Sequence, residues 1–363
     1  MVVVVVVTPS VAGVFCHLPL RLINPLVGSY ISLISVLCII VSVLEPTIMN
    51  PKLFRRILIC LLSMTLVIAC ESLQAEETII PKKPTLVSDS NGSINDQGKL
   101  RTYYIHTPKS YNPDHPMPLV LVFHGDDGTG HSIADVSRFN DLAEQKGFIV
   151  VYPDAVDHKW SLSTKSSRKV DDVSFISALI NQIKQTRNID SSRVYATGFS
   201  RGAILTQALA CKIPNQITAF ASVAGALPVR LKSQCQSKTP VSMLMINGTN
   251  DQDVHYDGDG NSQKGLISIP DTVDLWRSHD QCPSPTQSQQ PPQANPNEHF
   301  KVKTSKYSGC IGGSEVVQLS VVDGGHFWPG GATEDPRLKQ VNDQLGFNAS
   351  QTIWDFFQRH NQS

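Results

Sequence analysis

Gly198-Phe199-Ser200-Arg201-Gly202 sets a hydroxyl between two glycines in the pattern G-x-S-x-G. An apolar stretch, Val194 to Thr197, runs into it, and a helix-forming stretch, Gly202 to Cys211, runs out of it. A serine at such a strand-to-helix turn has its Oγ exposed, and the turn is so tight that the flanking positions must be nearly free of side chain. Gly198 and Gly202 meet that need. A hydroxyl is a weak nucleophile at neutral pH and needs a base within reach. Of the 11 histidines, His326 stands out. It follows an apolar run and sits in Asp323-Gly324-Gly325-His326-Phe327-Trp328-Pro329-Gly330-Gly331, a loop shaped by glycines and a proline. The base in turn needs a carboxylate to orient the imidazole and stabilise its charged form. Where the nucleophile occupies such an elbow, the chain order is serine, acid, histidine. Val241 to Ile246 leads into Asn247-Gly248-Thr249-Asn250-Asp251-Gln252-Asp253, so Asp251 is the expected acid, with Asp253 as the near alternative.

Attack on a carbonyl develops negative charge on oxygen, which preorganised N–H groups must receive. One expected donor is the backbone N–H of Arg201, directly after the nucleophile. The other is expected from the loop His124-Gly125-Asp126-Asp127-Gly128, through the backbone of Asp126. His124 reads as a brace for that loop rather than a reacting group. Trp160 and Trp328 are expected to line the substrate pocket as aromatic platforms. This chemistry calls for no cofactor and no metal. Asp257 and Asp259 are too closely spaced for a calcium loop of the EF-hand kind.

The elements that would position these groups alternate. Leu119 to Phe123 and Phe148 to Tyr152 are short continuous apolar runs, as expected for strands buried on both faces of a parallel sheet. Ser132 to Lys146 between them reads as one helix stopped by Gly147. Arg101 to His106, Arg193 to Thr197, Phe220 to Val223, Val241 to Ile246 and Val316 to Val322 read as further strands. Val173 to Ile183, Gly202 to Cys211, a helix starting over Asp271 to Arg277, and Gln351 to Gln358 read as helices. Strands alternating with helices imply an α/β fold with a mostly parallel central sheet and helices on both faces. Pro283 to Asn297, rich in Gln, Pro and Ser, reads as a surface loop.

The chain has 363 residues, with 31 basic and 31 acidic side chains. That balance gives no basic field for nucleic acid. At 41% hydrophobic and 17% charged residues, the composition excludes a disordered chain. Leu26 to Leu44 is an uncharged apolar run about long enough for a membrane helix. Lys52, Arg55 and Arg56 then precede an apolar stretch, Ile57 to Ala69, ending at Cys70, in the pattern of a secretory signal peptide. Val67-Ile68-Ala69-Cys70 resembles a lipobox, with lipidation at Cys70; ordinary cleavage near Ala75 is the alternative. The expected organisation is therefore 1–48 as an over-extended start or a membrane segment and 49–70 as a signal peptide. A polar tether over 71–98 and a catalytic domain over 99–363 follow, outside the cytoplasm, with any membrane attachment through a lipid anchor. Beyond the leader, Cys211, Cys235, Cys282 and Cys310 allow three pairings. Nearness in sequence suggests Cys211–Cys235 and Cys282–Cys310, and the absence of C-x-x-C argues against zinc.

From about Lys99 to its end the chain resembles the secreted esterases that include polyhydroxybutyrate depolymerases, feruloyl esterases and acetylxylan esterases. The likeness runs through Arg101-Thr102-Tyr103-Tyr104, His124-Gly125, Gly147 to Ala155, Trp160, Asp171 to Ile176, Val194 to Ser200, Asn247 to Asp251 and Gly325 to Gly331. It implies an α/β-hydrolase fold, hydrolysis of polysaccharide-linked or polyhydroxyalkanoate esters, and Ser200, Asp251 and His326 as nucleophile, acid and base. The sequence departs from the family pattern at Arg201, Ala203 and the acidic loop after Gly125, which bears on substrate preference. A serine peptidase on the same fold and a non-catalytic exported binding protein are the rival readings.

Overall fold

Ten strands hydrogen-bond into one sheet among the described residues: β1 (Asp89–Asp96), β2 (Lys99–His106), β3 (Met117–Phe123), β4 (Ile149–Pro153), β5 (Ile189–Phe199), β6 (Ala219–Val223), β7 (Ser242–Gly248), β8 (Gln287–Gln289), β9 (Val302–Tyr307) and β10 (Val316–Val321). Their order is β1-β2-β4-β3-β5-β6-β7-β10-β9-β8. The inner six, from β4 to β10, pair in parallel, and the flanking pairs are antiparallel. A computed structural model describes residues 89–162, 170–260, 265–283, 287–289 and 301–362, all in the unit that spans 85–363. The leader readings, Cys70 included, lie outside the described residues, as does most of Pro283 to Asn297. No helix among the described residues is long and apolar enough to cross a membrane.

The apolar runs are strands because both sheet faces are covered. Leu119, Leu121 and Phe123 of β3 join one core with α3 (Asp172–Thr186), α4 (Arg201–Lys212) and α5 (Ile269–His279). Val120 and Val122 point the other way. They meet α1 (Gly130–Ser137), α2 (Phe139–Lys146), α6 (Pro336–Leu345) and α7 (Ala349–Phe357). Helix α4 is buried from Gly202 to Cys211, so it has no solvent face and its sequence shows no polar stripe. Disulfides Cys211–Cys235 and Cys282–Cys310 form as the spacing suggests; the first pins the far end of α4.

Three expectations require correction. The stretch assigned to a tether ends in β1, which pairs with β2 from Asp89↔His106 to Asp96↔Lys99. Gln97 and Gly98 both have positive φ (51° and 79°), the geometry of a two-residue hairpin turn that follows the strand twist. The polar sequence DSNGSIND lacks an apolar alternation, and Gly92 admits the Tyr103 ring where any side chain would collide. The helix expected over Ser132 to Lys146 is two helices, broken at Arg138, which is left-handed (φ 55°) and ends α1 while starting α2. Within Pro283 to Asn297, Gln287–Gln289 pairs with β9 as an edge strand rather than forming loop throughout.

Candidate active site

Ser200 stands between β5 and α4 with φ 53° and ψ −117°, a backbone conformation that costs roughly 1–3 kcal/mol for a residue with a side chain. Its N–H donates to the Val223 carbonyl (2.9 Å), and its own carbonyl accepts from Ile204 (3.0 Å), so the surrounding backbone holds the strained turn. Cβ atoms at the flanking glycines would collide. At Gly198 one would lie 2.9 Å from the Ala203 nitrogen, and at Gly202 one would lie 2.6 Å from the His124 carbonyl oxygen. The first turn of α4 thus packs on the end of β3 with nothing between them.

Asp251 and His326 meet as expected. His326 Nδ1 and Asp251 Oδ2 are 2.8 Å apart, and the carboxylate is nearly fully buried while the imidazole is partly open. Asp251 Oδ1 accepts the backbone N–H groups of Asp253 and Val254, both at 2.9 Å. Burial pushes this carboxyl up, but the bond from His326, the two backbone donors and the nearby imidazole charge together hold it below the ordinary aspartate value. Asp253, the alternative acid, is exposed and contributes its N–H to Asp251. Acid and base loops are locked to each other: Asn250 N–H donates to the Gly324 carbonyl (2.9 Å) and Asp323 N–H to Thr249 Oγ1 (2.9 Å). That approach requires Gly248, where a Cβ would sit 2.5 Å from the Gly325 carbonyl oxygen.

Ser200 comes to this pair through Phe199, whose ring centroid is 4.9 Å from that of His326. Among the described residues no hydrogen bond joins Ser200 Oγ to His326. The sequence reading did not single out Phe199, although it is the variable residue inside G-x-S-x-G. Gly125 was missed as a contact too: a Cβ on it would lie 3.3 Å from that of Ser200, so the loop after β3 stands directly against Ser200. The N–H groups of Arg201 and Asp126 have no acceptor among the described residues. The Arg201 side chain is half-buried, and its Nε donates to the Trp160 carbonyl (3.4 Å).

Trp160 and Trp328 do not line an open pocket. Trp160 is completely buried, its Nε1–H donating to the His124 carbonyl (2.8 Å). Trp328 is 3% exposed and donates to Ser350 Oγ (3.0 Å) while packing on Phe139 and Phe199. Both indoles support the site from beneath. An open cavity of about 520 Å³ lies beyond the His326 loop, between Gly330–Glu334 and α6, and none of Ser200, Asp251 and His326 lines it.

Residues 102–247 match the family described as Esterase PHB depolymerase. A bifunctional acetylxylan esterase/xylanase of Neocallimastix patriciarum is 28% identical over 270 residues, 73% of this chain but 34% of its own length. Feruloyl esterase D of Neurospora crassa is 26% identical over 294 residues, 77% of this chain and 89% of its own. The chain is a carboxylic ester hydrolase, similar to these esterases. It spans about a third of the bifunctional relative and most of the second. The esterase shares its α/β-hydrolase fold with acetyl xylan esterase from Aspergillus awamori, at a TM-score of 0.52 and 18% identity over 70% of this chain and 100% of that one.

Proposed function

We propose that the esterase works through Ser200, His326 and Asp251 on esters of polysaccharides, feruloyl or acetyl, or of polyhydroxyalkanoates. The observation that carries this reading is the Asp251–His326 hydrogen bond, formed at the same sheet rim as the strained Ser200 turn. Ser200 Oγ attacks the ester carbonyl as His326 Nε2 takes its proton, and Asp251 holds Nδ1–H and stabilises the imidazolium. The oxyanion is received by the N–H groups of Arg201 and Asp126. His326 then gives its proton to the departing alcohol, the acyl group remains on Ser200, and water repeats the sequence to release the acid. A Ser200–His326 hydrogen bond forms on substrate binding, since catalytic hydrogen bonds absent or loose in a free enzyme are made in the complex.

Two disulfides fit an oxidising compartment, and with the signal-peptide pattern they support export. A serine-reactive phosphonate should label Ser200 in folded enzyme, and turnover should be compared over methyl ferulate, acetylated xylan, hydroxybutyrate oligomers and a peptide anilide. Hydrolysis of an ester in the first three with no anilide cleavage supports the proposal. Absence of label on folded protein, or faster anilide cleavage, overturns it in favour of a binding protein or a peptidase respectively.

A further inference from the structure

We propose that His124, as its neutral Nδ1–H tautomer, is a positioning residue that aims the Asp126 N–H at the oxyanion. The inference rests on the ester-hydrolase reading of Ser200. His124 ends the run from β3 and is 1% exposed, so its imidazole cannot exchange partners with water. Every polar atom around it is engaged. The Ala155 N–H donates to Nε2 (3.1 Å), so Nε2 must be bare and the proton sits on Nδ1. Nδ1 lies 2.7 Å from the Gly125 carbonyl oxygen and donates to it. The His124 carbonyl is held by the buried Trp160 indole N–H, and the next residue, Ser161, donates its N–H to Asp172, whose other oxygen pairs with buried Arg101. Burial lowers the imidazole's pKa, against the raising effect of the Gly125 carbonyl and of Asp154 and Asp126 nearby, with His158 adding to the lowering.

The link to catalysis is peptide geometry. The chain has no cis peptide among the described residues, so the Gly125 C=O and the Asp126 N–H lie in one plane and point in opposite directions. The carbonyl is drawn to His124 Nδ1 and also accepts the Gly128 N–H (3.2 Å). The Asp126 N–H therefore faces away from the imidazole, and it has no acceptor among the described residues. This peptide begins at Gly125, the residue whose missing side chain leaves it against Ser200. Rotation of the plane would present a carbonyl oxygen where the oxyanion develops, so the imidazole chooses between a donor and a repelling group.

Two substitutions separate the two ring nitrogens. In His124→Asn the amide N–H₂ falls near the Nδ1 position and keeps the bond to Gly125. In His124→Gln the longer side chain falls near Nε2 and keeps only the acceptor for Ala155. With p-nitrophenyl acetate, His124→Gln should lose about 100-fold in kcat with KM within about threefold, the effect of one lost oxyanion donor. His124→Asn should stay within about tenfold. Affinity for a trifluoromethyl ketone, which forms the tetrahedral adduct, should fall in parallel with kcat/KM in His124→Gln. Equal losses in both variants, or a wild-type rate in His124→Gln with Ser200 still labelled by phosphonate, overturn the positioning role alone. No label in the wild-type enzyme overturns the nucleophile reading first. Should His124→Gln not fold, ¹⁵N-imidazole resonances of the wild-type protein decide: Nδ1–H with bare Nε2 supports the inference, and the other tautomer refutes it.

Discussion

Replacing Asp251 by Asn changes one atom and should nearly abolish turnover. Asp251 Oδ1 accepts two backbone N–H groups, and the Asn carbonyl oxygen can keep both. The amide nitrogen must then face His326 Nδ1, at the 2.8 Å now occupied by a carboxylate oxygen. Two donors cannot share that contact, so the imidazole shifts its proton to Nε2 and presents N–H to Ser200 where a base is needed. The imidazolium formed in the transition state also loses its counter-charge. Loss of the correct tautomer costs about 10⁴-fold in kcat, or about 5.5 kcal/mol. The assay is kcat for p-nitrophenyl acetate with a thermal melt on the same sample. Stability carries its own sign. The folded Asp251 pKa is below the ordinary value, so its contribution is present above the unfolded pKa and is lost as pH falls through the folded one. The melting difference between wild type and Asp251→Asn should therefore shrink in acid. A folded Asp251→Asn enzyme with kcat within tenfold of wild type would falsify the tautomer argument.

Ser200→Ala should remove nearly all turnover with folding intact, whereas Ser200→Gly should be more stable than Ser200→Ala by about 1 kcal/mol in denaturant titration, because glycine tolerates φ 53°; a Gly variant less stable than Ala would count against stored strain. His279 places Nδ1 on Asp280 and Nε2 on the Ser237 carbonyl, two acceptors that only an imidazolium satisfies. The Asp280 hydrogen bond raises its pKa against a smaller lowering by burial, so this stabilisation is full below about pH 6.5 and fades as pH rises through the folded value. Melting temperature should decline across that window, and His279→Gln should flatten the decline. The Cys211–Cys235 loop of 24 residues should contribute about 3–4 kcal/mol, so the double Ser variant should melt well below wild type in denaturant titration; an unchanged midpoint would mean that the bridge leaves the unfolded chain unconstrained.

Legibility in the sequence followed burial. Strands β3, β4, β6 and β7 lie inside the sheet and are buried at nearly every position, so they show as short, mostly apolar runs. The elbow was legible because steric demand falls on two glycines at fixed spacing. Asp251 and His326 followed from what must come after a strand. Elements built on backbone bonding or surface chemistry left weaker traces. β1 is polar apart from Ile94, and β9 (VKTSKY) is a flanking strand with one buried residue. Helix α6 fully buries only Leu345; its apolar stripe is narrow, Leu338, Val341 and Leu345 at helical spacing among polar residues, with Asp335 capping its start and Gly346 ending it. Arg138 breaks a helical pattern with a left-handed turn that no glycine announces. Trp160 and Trp328, expected as aromatic platforms, are buried instead, because which side of a loop an indole occupies is decided by packing between distant segments.

On the proposed triad, nucleophile, acid and base each leave the sheet on a separate loop, from β5, β7 and β10. The barrier to hydrolysis is thus governed by strand ends, while access is governed by the intervening chain. Changes in that intervening chain can retarget the enzyme without disturbing the register that brings three distant residues together, provided the Ala155, Trp160 and Ser161 contacts behind His124 are kept. Evolution can change what this molecule degrades by editing its rim and leaving its core untouched.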